Sequence, residues 1–373
     1  MAYTNIDDPS AYFQVATWTG NATNRTIDLD SNSTMQPDFS WVKSRSNAYE
    51  HYWQNSSTGT DKYLRSNSSA AQQNGTIVTY NSTGFGIGSG AENNQNSTTN
   101  VGWFWKVNGG TTTSKSSGTV AGNVTTPCVQ QVNTDSGISI ITYTASTSYA
   151  GSETHLEHGL GAGPRFLLVK RLNGTADWAV YHADNGGSPN AGYSYNVLNT
   201  TAATAQASPT NQYWLNTPAE SNATLLAFGS NGSVGANGDD YICYAFAEKQ
   251  GFSKFGSYEG NGNANGPFVY TGFKPAWLMV KIVPHSGWDW AIMDSKRTPT
   301  NANGTYEWIW ANLSAAEFTD GDSGINMEID FLSNGFKIRT ARNELNYNDA
   351  QFIYMCFAEN PFTTSTGVPA TAR

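Results

Sequence analysis

The pattern of apolar and polar positions singles out one short segment, which occurs three times along the chain. Residues 275–281 have the sequence PAWLMVK, residues 37–43 have PDFSWVK and residues 164–170 have PRFLLVK. In the segment at 275–281, strand alternation places Trp277, Met279 and Lys281 on one face, with Leu278 and Val280 on the other. Because both faces are mostly apolar, the segment is predicted to be a strand that is covered on two sides. The core residues predicted from the three copies are Phe39, Val42, Phe166, Val169, Trp277 and Val280.

Other blocks recur in the same order as this segment. An aromatic residue, three further residues, Asn, any residue, Ser or Thr, and two alanines occur at 63–71, 195–203 and 308–316. Asn with a hydroxyl residue two places later favours a turn. A closing strand recurs at 101–106, 241–248 and 352–359. A Gly-Phe block occurs at 84–87 and 335–338, with residues 227–229 as a weak counterpart in the middle copy. The shared order predicts three copies of one module.

The spacing of the copies predicts the fold. Each copy occupies about 100 residues, which is the size of a β-sandwich. We therefore expect an all-β protein of three tandem β-sandwich domains, jelly-roll or lectin-like, with little helix. The predicted parts are an N-terminal arm at 1–10, repeat 1 at 11–109, a linker at 110–136, repeat 2 at 137–250, repeat 3 at 251–362 and a C-terminal tail at 363–373. The long connection rich in Ser, Thr and Gly after repeat 1 predicts freedom, and the short one after repeat 2 predicts a fixed geometry.

Composition narrows the function. Charged residues are only 13% of the 373 residues, so Asn, Ser, Thr, Gly and Gln must supply most of the polar surface. A net charge of −9 without a basic cluster argues against nucleic-acid binding. No apolar run approaches the roughly 20 residues of a membrane helix, so no membrane insertion is expected. The first residues lack the basic and apolar regions of a signal peptide, so synthesis in a cytoplasm is expected.

The three cysteines do not predict a disulfide framework or a zinc site, because their number is odd and their spacings are wide. Cys243 and Cys356 lie inside apolar strands and are predicted to be small core residues. Cys128 lies in the predicted linker, where it could be exposed.

Motifs with metal-ligand spacing are few. His155 and His158 have such a spacing, with Glu157 between them, but a turn before the repeated strand is the favoured interpretation. Acidic residues alternate at 320–324 as in calcium loops, without the full ligand set of such a loop. This segment and the Asp239–Asp240 pair are interpreted as solvated loops. No metal and no cofactor are predicted.

The sequence predicts no catalytic residues. Glu248 and Glu359 occupy matching places in repeats 2 and 3. Glycoside hydrolysis needs two carboxylates about 5–10 Å apart, whereas residues repeated in separate domains favour a structural role.

Aromatic residues are the remaining candidates for contact with a glycan or a protein partner, since flat rings beside Asn donors can hold sugars. These candidates are Trp53, Tyr193, Tyr195, Tyr213, Trp214, Trp308 and Trp310. Aromatics at a period of two are more typical of a core or a subunit interface, which is the favoured interpretation.

Several segments together resemble a known family. They are PAWLMVK at 275–281, the element Trp288-Asp289-Trp290, LSNGFKIR at 332–339, FIYMCFAENPF at 352–362 and the tail TSTGVPATAR. They resemble repeat-domain virion structural proteins of tailed bacteriophages, particularly those of marine bacteria and cyanobacteria. The resemblance is strongest over residues 251–373, clear over 11–109 and weaker over repeat 2. It implies a tail fibre, another tail appendage or a head decoration, and it supplies no catalytic residues.

We therefore expect a non-enzymatic protein of the virion that mediates particle assembly or host attachment. The expected partners are other virion proteins and further copies of the chain, as in a trimer, with a host surface glycan as an additional partner. Two alternatives remain open. A carbohydrate-binding receptor protein requires exposure of Trp308, Trp310 or Tyr195, and a polysaccharide depolymerase requires a carboxylate pair in one cleft.

Overall fold

The computed structural model of the chain describes residues 3–120, 123–146, 153–185, 194–208, 210–215, 223–299, 301, 306–319 and 326–371. Within these ranges the chain is almost entirely β-structure. Among the described residues, helix is limited to one four-residue element, α1 (Asn343–Asn346), and two 3-10 turns at Pro9–Ala11 and Glu92–Asn94. The all-β prediction is therefore confirmed.

Repeat 1 forms a large sheet with the strand order β1-β9-β3-β4, a small sheet with the order β2-β8-β7 and the pair β5-β6. Its strands are β1 (Phe13–Thr19), β2 (Arg25–Asp28), β3 (Phe39–Ser44), β4 (Tyr52–Asn55), β5 (Lys62–Tyr63), β6 (Gln73–Asn74), β7 (Thr79–Asn81), β8 (Gly84–Ile87) and β9 (Thr99–Trp105).

Repeat 2 and the segment before it form an eight-stranded sheet with the order β10-β13-β14-β21-β16-β17-β18-β19, and the pairs β11-β12 and β15-β20. The strands are β10 (Thr113–Lys115), β11 (Thr119–Val120), β12 (Asn123–Val124), β13 (Cys128–Asn133), β14 (Ile138–Thr144), β15 (Thr154–Glu157), β16 (Phe166–Arg171), β17 (Ala179–His182), β18 (Ser194–Val197), β19 (Ala205–Gln206), β20 (Leu225–Phe228) and β21 (Asp240–Phe246).

Repeat 3 forms a six-stranded sheet with the order β22-β30-β24-β25-β26-β27 and a small sheet with the order β23-β29-β28. Its strands are β22 (Ser253–Glu259), β23 (Phe268–Tyr270), β24 (Phe273–Ile282), β25 (Ala291–Asp294), β26 (Glu307–Trp310), β27 (Phe318–Thr319), β28 (Ile329–Leu332), β29 (Gly335–Ile338) and β30 (Gln351–Pro361).

The three large sheets share one topology. In each, the strand that begins the repeat (β1, β14 or β22) pairs with β9, β21 or β30, the closing strand of that repeat. The closing strand also pairs with the strand of the recurring segment, and that strand pairs with the one that follows it in the chain. The register is shared too, since Phe39 lies opposite Trp105, Phe166 opposite Phe246, and Trp277 opposite Phe357. The internal repetition of the sequence is therefore a repetition of structure.

Each large sheet is covered on both faces. In β24, Leu278 and Val280 pack in a core between the large and small sheets of repeat 3. Trp277 and Met279 point the other way, into a second core to which all three repeats contribute. Repeats 1 and 2 have cores of their own in the same way. The six residues predicted as core from the recurring segment are all buried.

The shared core lies where the three large sheets meet, and aromatic rings cross every boundary. Trp53 of repeat 1 lies 4.7 Å from Trp178 of repeat 2, measured between ring centroids. Phe166 of repeat 2 lies 5.9 Å from Phe255 of repeat 3. Phe13 of repeat 1 stacks on Phe357 of repeat 3 at 5.1 Å. Buried aromatic pairs at such distances contribute beyond the area that they bury, so the repeats are held together by apolar contact.

The connection at 110–136 differs from the predicted linker. Strand β10 pairs with β13 at the edge of the large sheet of repeat 2. Gln131 is fully buried and fixes this connection, because its Oε1 accepts from the backbone N–H of Asn108 at 3.0 Å and its Nε2 donates to Ser56 Oγ at 2.9 Å. Cys128 is buried on β13 rather than exposed. The pairing of β10 with β13 gives strand structure to a segment whose composition is typical of a loop.

The predicted N-terminal arm also has a packed role. Ile6 is buried in the shared core. Thr4 Oγ1 donates to the carbonyl of Gln250 at 2.7 Å, and Asp7 accepts from the backbone N–H of Ser365 at 2.6 Å. The arm and the tail are thus held together beside repeat 3.

Candidate functional site at the joints between repeats

The lysine that ends each recurring segment is buried. Lys43, Lys170 and Lys281 are each 0% exposed. Their ammonium groups donate to backbone carbonyls, such as Lys281 Nζ to Trp288 O at 2.6 Å and Lys170 Nζ to Ser69 O of repeat 1 at 3.1 Å. Burial lowers the pKa of each of the three to about 8, although a nearby carboxylate opposes the shift. These lysines therefore have a structural setting at the ends of the large sheets.

The carboxylate beside each lysine is held by the Asn of the second motif. The Nδ2 of Asn199 donates to Asp177 at 2.8 Å, that of Asn312 donates to Asp289 at 2.6 Å, and Asn67 donates to Glu50 in the same way. The Asn Oδ1 accepts from the backbone N–H of the residue that follows this carboxylate. That residue is His51, Trp178 or Trp290. The Asn therefore does more than form a turn, since it fixes the ring that follows the carboxylate.

That ring reaches into the neighbouring repeat. Trp178 Nε1 donates to Arg65 O of repeat 1 at 2.8 Å, and Trp290 Nε1 donates to Val197 O of repeat 2 at 3.0 Å. In repeat 1 the ring is His51, whose Nε2 lies 3.0 Å from Trp310 O of repeat 3. Its Nδ1 accepts from the indole of Trp41 at 2.8 Å, so Nε2 carries the hydrogen and donates as an indole would. Burial keeps the pKa of His51 well below its ordinary value.

A backbone hydrogen bond repeats in the same cyclic manner. The N–H of Gln72 donates to Leu172 O at 3.0 Å, that of Thr204 to Val283 O at 2.8 Å, and that of Glu317 to Arg45 O at 2.8 Å. Each donor follows the two alanines of the second motif, and each acceptor lies two residues after the buried lysine. The residue after the second motif of one repeat thus bonds, across the joint, to the segment that follows the buried lysine of another repeat.

The last residue of the strand after the recurring segment supplies a third set. Asn55, His182 and Asp294 each accept from the backbone N–H two residues later, at 3.0 Å in all three cases. The second polar atom of each side chain makes a hydrogen bond of 3.0 Å to the next repeat. The partners are Tyr244 Oη for Asn55, Tyr354 O for His182 and Trp103 Nε1 for Asp294. Burial lowers the pKa of His182 to about 4, so this histidine is neutral at pH 7.

The joint between repeats 3 and 1 adds a buried ion cluster. Arg297 is enclosed completely and contacts Asp294 at 2.6 Å and Glu317 at 2.9 Å. Arg45 of repeat 1 contacts Glu317 at 2.7 Å and Glu307 at 3.0 Å. Asp294 and Glu317 raise the pKa of Arg297 against the effect of its burial.

Most of the predicted glycan or partner-contact residues lie inside the protein. Trp53 is in the shared core, Trp214 in the core of repeat 2, and Trp308 and Trp310 in the core of repeat 3. Tyr213 is buried and stacks on the half-buried Tyr195 at 3.9 Å. Tyr193 lies outside the described residues. Burial removes the four tryptophans from surface contact with a sugar, as the core interpretation expects.

The motifs considered for metals and acid–base chemistry are engaged in local contacts. Glu157 pairs with Lys115 at 3.2 Å, and His155 lies 3.6 Å from Glu153. Glu248 pairs with Lys254 at 2.7 Å and Glu359 with Lys274 at 2.9 Å. Asp239 pairs with Arg171, and Asp240 accepts from Thr144 Oγ1, both at 2.6 Å. Among the described residues, no group of three or more His, Cys, Asp or Glu side chains could hold a metal ion. The acidic segment at 320–324 lies outside those residues.

An open groove of about 600 Å³ runs along the joint between repeats 1 and 2. Its walls carry hydroxyl, amide and charged groups from both repeats, including Thr58, Lys62, Asn173 and Asp240. A second groove, of about 620 Å³, lies between repeats 1 and 3 and includes Gln14, Lys274 and Lys296. Both grooves exist because neighbouring repeats meet.

Comparison with known proteins places the chain in one family. Residues 8–361 match the model of a domain of unknown function (DUF7483), and the chain belongs to that family. The single match spans all three repeats, in agreement with their shared core. No curated protein and no solved structure matches the chain. None of the helices in the described part of the protein is long and apolar enough to cross a membrane.

Proposed function

We propose that the chain is a non-enzymatic structural protein of a tailed-bacteriophage virion, built from three β-sandwich domains that act as one rigid module. It would form part of a tail fibre, another tail appendage or a head decoration. The observation that carries the proposal is the set of interlocked joints around a shared aromatic core. A part of an extracellular particle must resist unfolding without disulfides, and its three cysteines are free and buried.

Two further observations support this function. The repeated segments resemble those of phage virion proteins along much of the chain. The low charge content leaves an exterior of hydroxyl and amide groups, and virion parts present in many copies gain affinity through repeated weak contacts.

The direct test is localisation on particles. An antibody against the recombinant chain should label gradient-purified particles of the phage that encodes it, at one repeated position in electron micrographs. Antibody absorbed beforehand with the recombinant chain is the control. Recovery of the chain only from the soluble lysate, with unlabelled particles, would refute the proposal.

A carbohydrate-binding role is the second candidate, and the groove between repeats 1 and 2 favours it. Hydroxyl, amide and carboxylate groups from two repeats line one open channel there, and such groups can hydrogen-bond the hydroxyls of a sugar. Binding on a glycan array should weaken in Asp240→Ala and Asn173→Ala. The exposed Asn348→Ala in repeat 3 should bind like the wild type. Absence of binding to host surface glycans would remove this candidate.

A further inference from the structure

The joints share one direction and one set of bonds. At the first–second joint, the ring of Trp178 donates into repeat 1, while Gln72 and Asn55 donate into repeat 2. At the second–third joint, Trp290 donates into repeat 2, and Thr204 and His182 donate into repeat 3. Each repeat thus uses one face toward the repeat before it and a different face toward the repeat after it.

The third–first joint contains the corresponding bonds, one of them with donor and acceptor exchanged, although repeats 3 and 1 are not consecutive in the chain. His51 of repeat 1 donates into repeat 3, and the N–H of Glu317 donates into repeat 1 at 2.8 Å. Asp294 of repeat 3 accepts from the indole of Trp103 of repeat 1 at 3.0 Å. Repeats 3 and 1 are not consecutive in the chain, so a covalent connection is not what creates this joint.

We propose that the inner faces of the repeats are one self-recognising interface used three times, so that the chain is a single-chain trimer. The partner that each inner face fits is a second copy of the same module. A head-to-tail interface closes when its rotation completes a ring, and three repeats complete it here. This inference concerns how the protein holds together and does not depend on its place in a virion.

The test uses the full chain with a protease recognition sequence inserted at one of two connections between repeats. Insertion between Ser116 and Ser117 separates repeat 1 after cleavage, and insertion between Lys249 and Gln250 separates repeat 3. We expect each cleaved chain to keep its full mass in native mass spectrometry at nanomolar concentration, and to separate only in denaturant. Fragments that separate on cleavage alone at both sites would overturn the proposal.

Conservative variants then show which joint retains each cleaved fragment on the rest of the chain. Trp178→Phe keeps a ring but loses the bond to Arg65 O, so it should weaken retention of the cleaved repeat 1 by about tenfold, which is the value of one buried hydrogen bond. It should leave retention of the cleaved repeat 3 unchanged. Trp290→Phe should show the opposite pattern.

Trp214→Phe is the matched control, because its indole donates to Ser194 O at 3.0 Å within repeat 2. It removes an indole hydrogen bond of similar length, 3.0 Å against 2.8 Å for Trp178 and 3.0 Å for Trp290, but this bond crosses no joint. It should leave the retention of both fragments unchanged. Equal weakening by all three variants would mean that general stability, rather than the joints, holds the fragments, and would contradict the proposal.

Discussion

His182 shows how one structural position is served by different side chains. Its counterparts are Asn55 in repeat 1 and Asp294 in repeat 3, and all three bind a backbone N–H two residues later. Alignment by residue type does not pair Asn, His and Asp, whereas the geometry does. The side chains that cross the joints could not be found from the sequence, because their partners depend on how the repeats pack.

The neutral state of His182 predicts sensitivity to acid. Its pKa in the folded protein is about 4, whereas an unfolded histidine titrates near about 6.5. The unfolded chain therefore binds more protons as the pH falls through this window, and stability is lost. His182→Asn should reduce the loss of unfolding free energy between pH 6.5 and about 4, since Asn already serves this position in repeat 1. Urea denaturation at several pH values measures this loss of unfolding free energy.

The control for this variant is His285→Asn, in which a partly exposed histidine that stacks on Tyr347 is replaced. It should keep the acid sensitivity of the wild type. An unchanged pH dependence in His182→Asn would show that this histidine is not the group responsible.

The buried lysines predict a dependence of the same sign at alkaline pH. In the folded chain their pKa is about 8, below the value of about 10.4 in an unfolded chain. Between these values the unfolded chain keeps protons that the folded chain releases, so stability should rise with pH. Lys281→Met should make the rise between pH 8 and about 9.5 shallower in urea titrations.

The exposed Lys296→Met serves as its control and should leave the slope as it is in the wild type. Buried tyrosines limit the useful window, because burial raises the pKa of Tyr143 and Tyr258 and stability falls again above about pH 10. If the slope is the same in Lys281→Met and the wild type, this lysine carries its charge through the whole window.

At the scale of elements, the Gly-Phe blocks mark places where two strands approach closely. A Cβ on Gly335 would lie 2.0 Å from the carbonyl oxygen of Val269 on β23, and one on Gly84 would lie 2.2 Å from that of Ile27 on β2. Phe336 and Phe85, which follow them, are buried in the cores of repeats 3 and 1. In repeat 2, Phe228 on β20 packs in the corresponding core although Ala227 precedes it. The weak match of residues 227–229 therefore corresponds to a real element.

Gly335→Ala should destabilise the protein by about 1–3 kcal/mol, because the backbone of β23 or β29 must shift to admit a methyl group. The unfolding midpoint in urea is the measurement. Gly88→Ala is the matched control, since nothing lies within 4 Å of the position of its Cβ. A midpoint for Gly335→Ala equal to that of Gly88→Ala would mean that the small sheet absorbs the methyl group freely.

The third–first joint depends on its ion cluster. Asp294→Asn removes a charge beside Arg297, which is enclosed completely. Loss of one partner of a buried ion pair costs about 3–5 kcal/mol, and we expect a decrease of this size in the free energy of unfolding. Asp330→Asn provides the comparison, because its partner Arg339 is 46% exposed and such pairs contribute about 0–1 kcal/mol. Equal effects of the two variants would argue against a cluster that stabilises the joint.

Elements were predictable where they depended on apolar alternation and were not where they depended on backbone pairing with another strand. The recurring strands at β3, β16 and β24 follow directly from their apolar runs. The short strands β10 and β13 do not, since β10 contains only polar residues and is fixed by its pairing with β13. Composition alone therefore gave a linker where the protein has the edge of a sheet.

At the scale of the whole molecule, the three repeats share one hydrophobic core, whereas the sequence suggested a separate core for each. The period of about 100 residues predicts three domains with separate cores. The structure divides the apolar residues of each large sheet between a core of its own and a common one. The sequence shows that the recurring strand is covered on both faces. It does not show that the other repeats cover the second face.

This arrangement makes unfolding a property of the whole chain. Phe39, Phe166 and Trp277 occupy one position in the three repeats, and all three lie in the shared core. Truncation of a large buried aromatic residue costs about 3–5 kcal/mol. Because the core is common, we expect each loss to weaken all three repeats together.

Native-state hydrogen exchange followed by mass spectrometry tests this claim most directly. In Phe39→Ala, Phe166→Ala and Trp277→Ala, the slowest-exchanging peptides of β3, β16 and β24 should all gain exchange rate by the same factor within each variant. Faster exchange confined to the repeat that carries the substitution, with the other two repeats at wild-type rates, would contradict it.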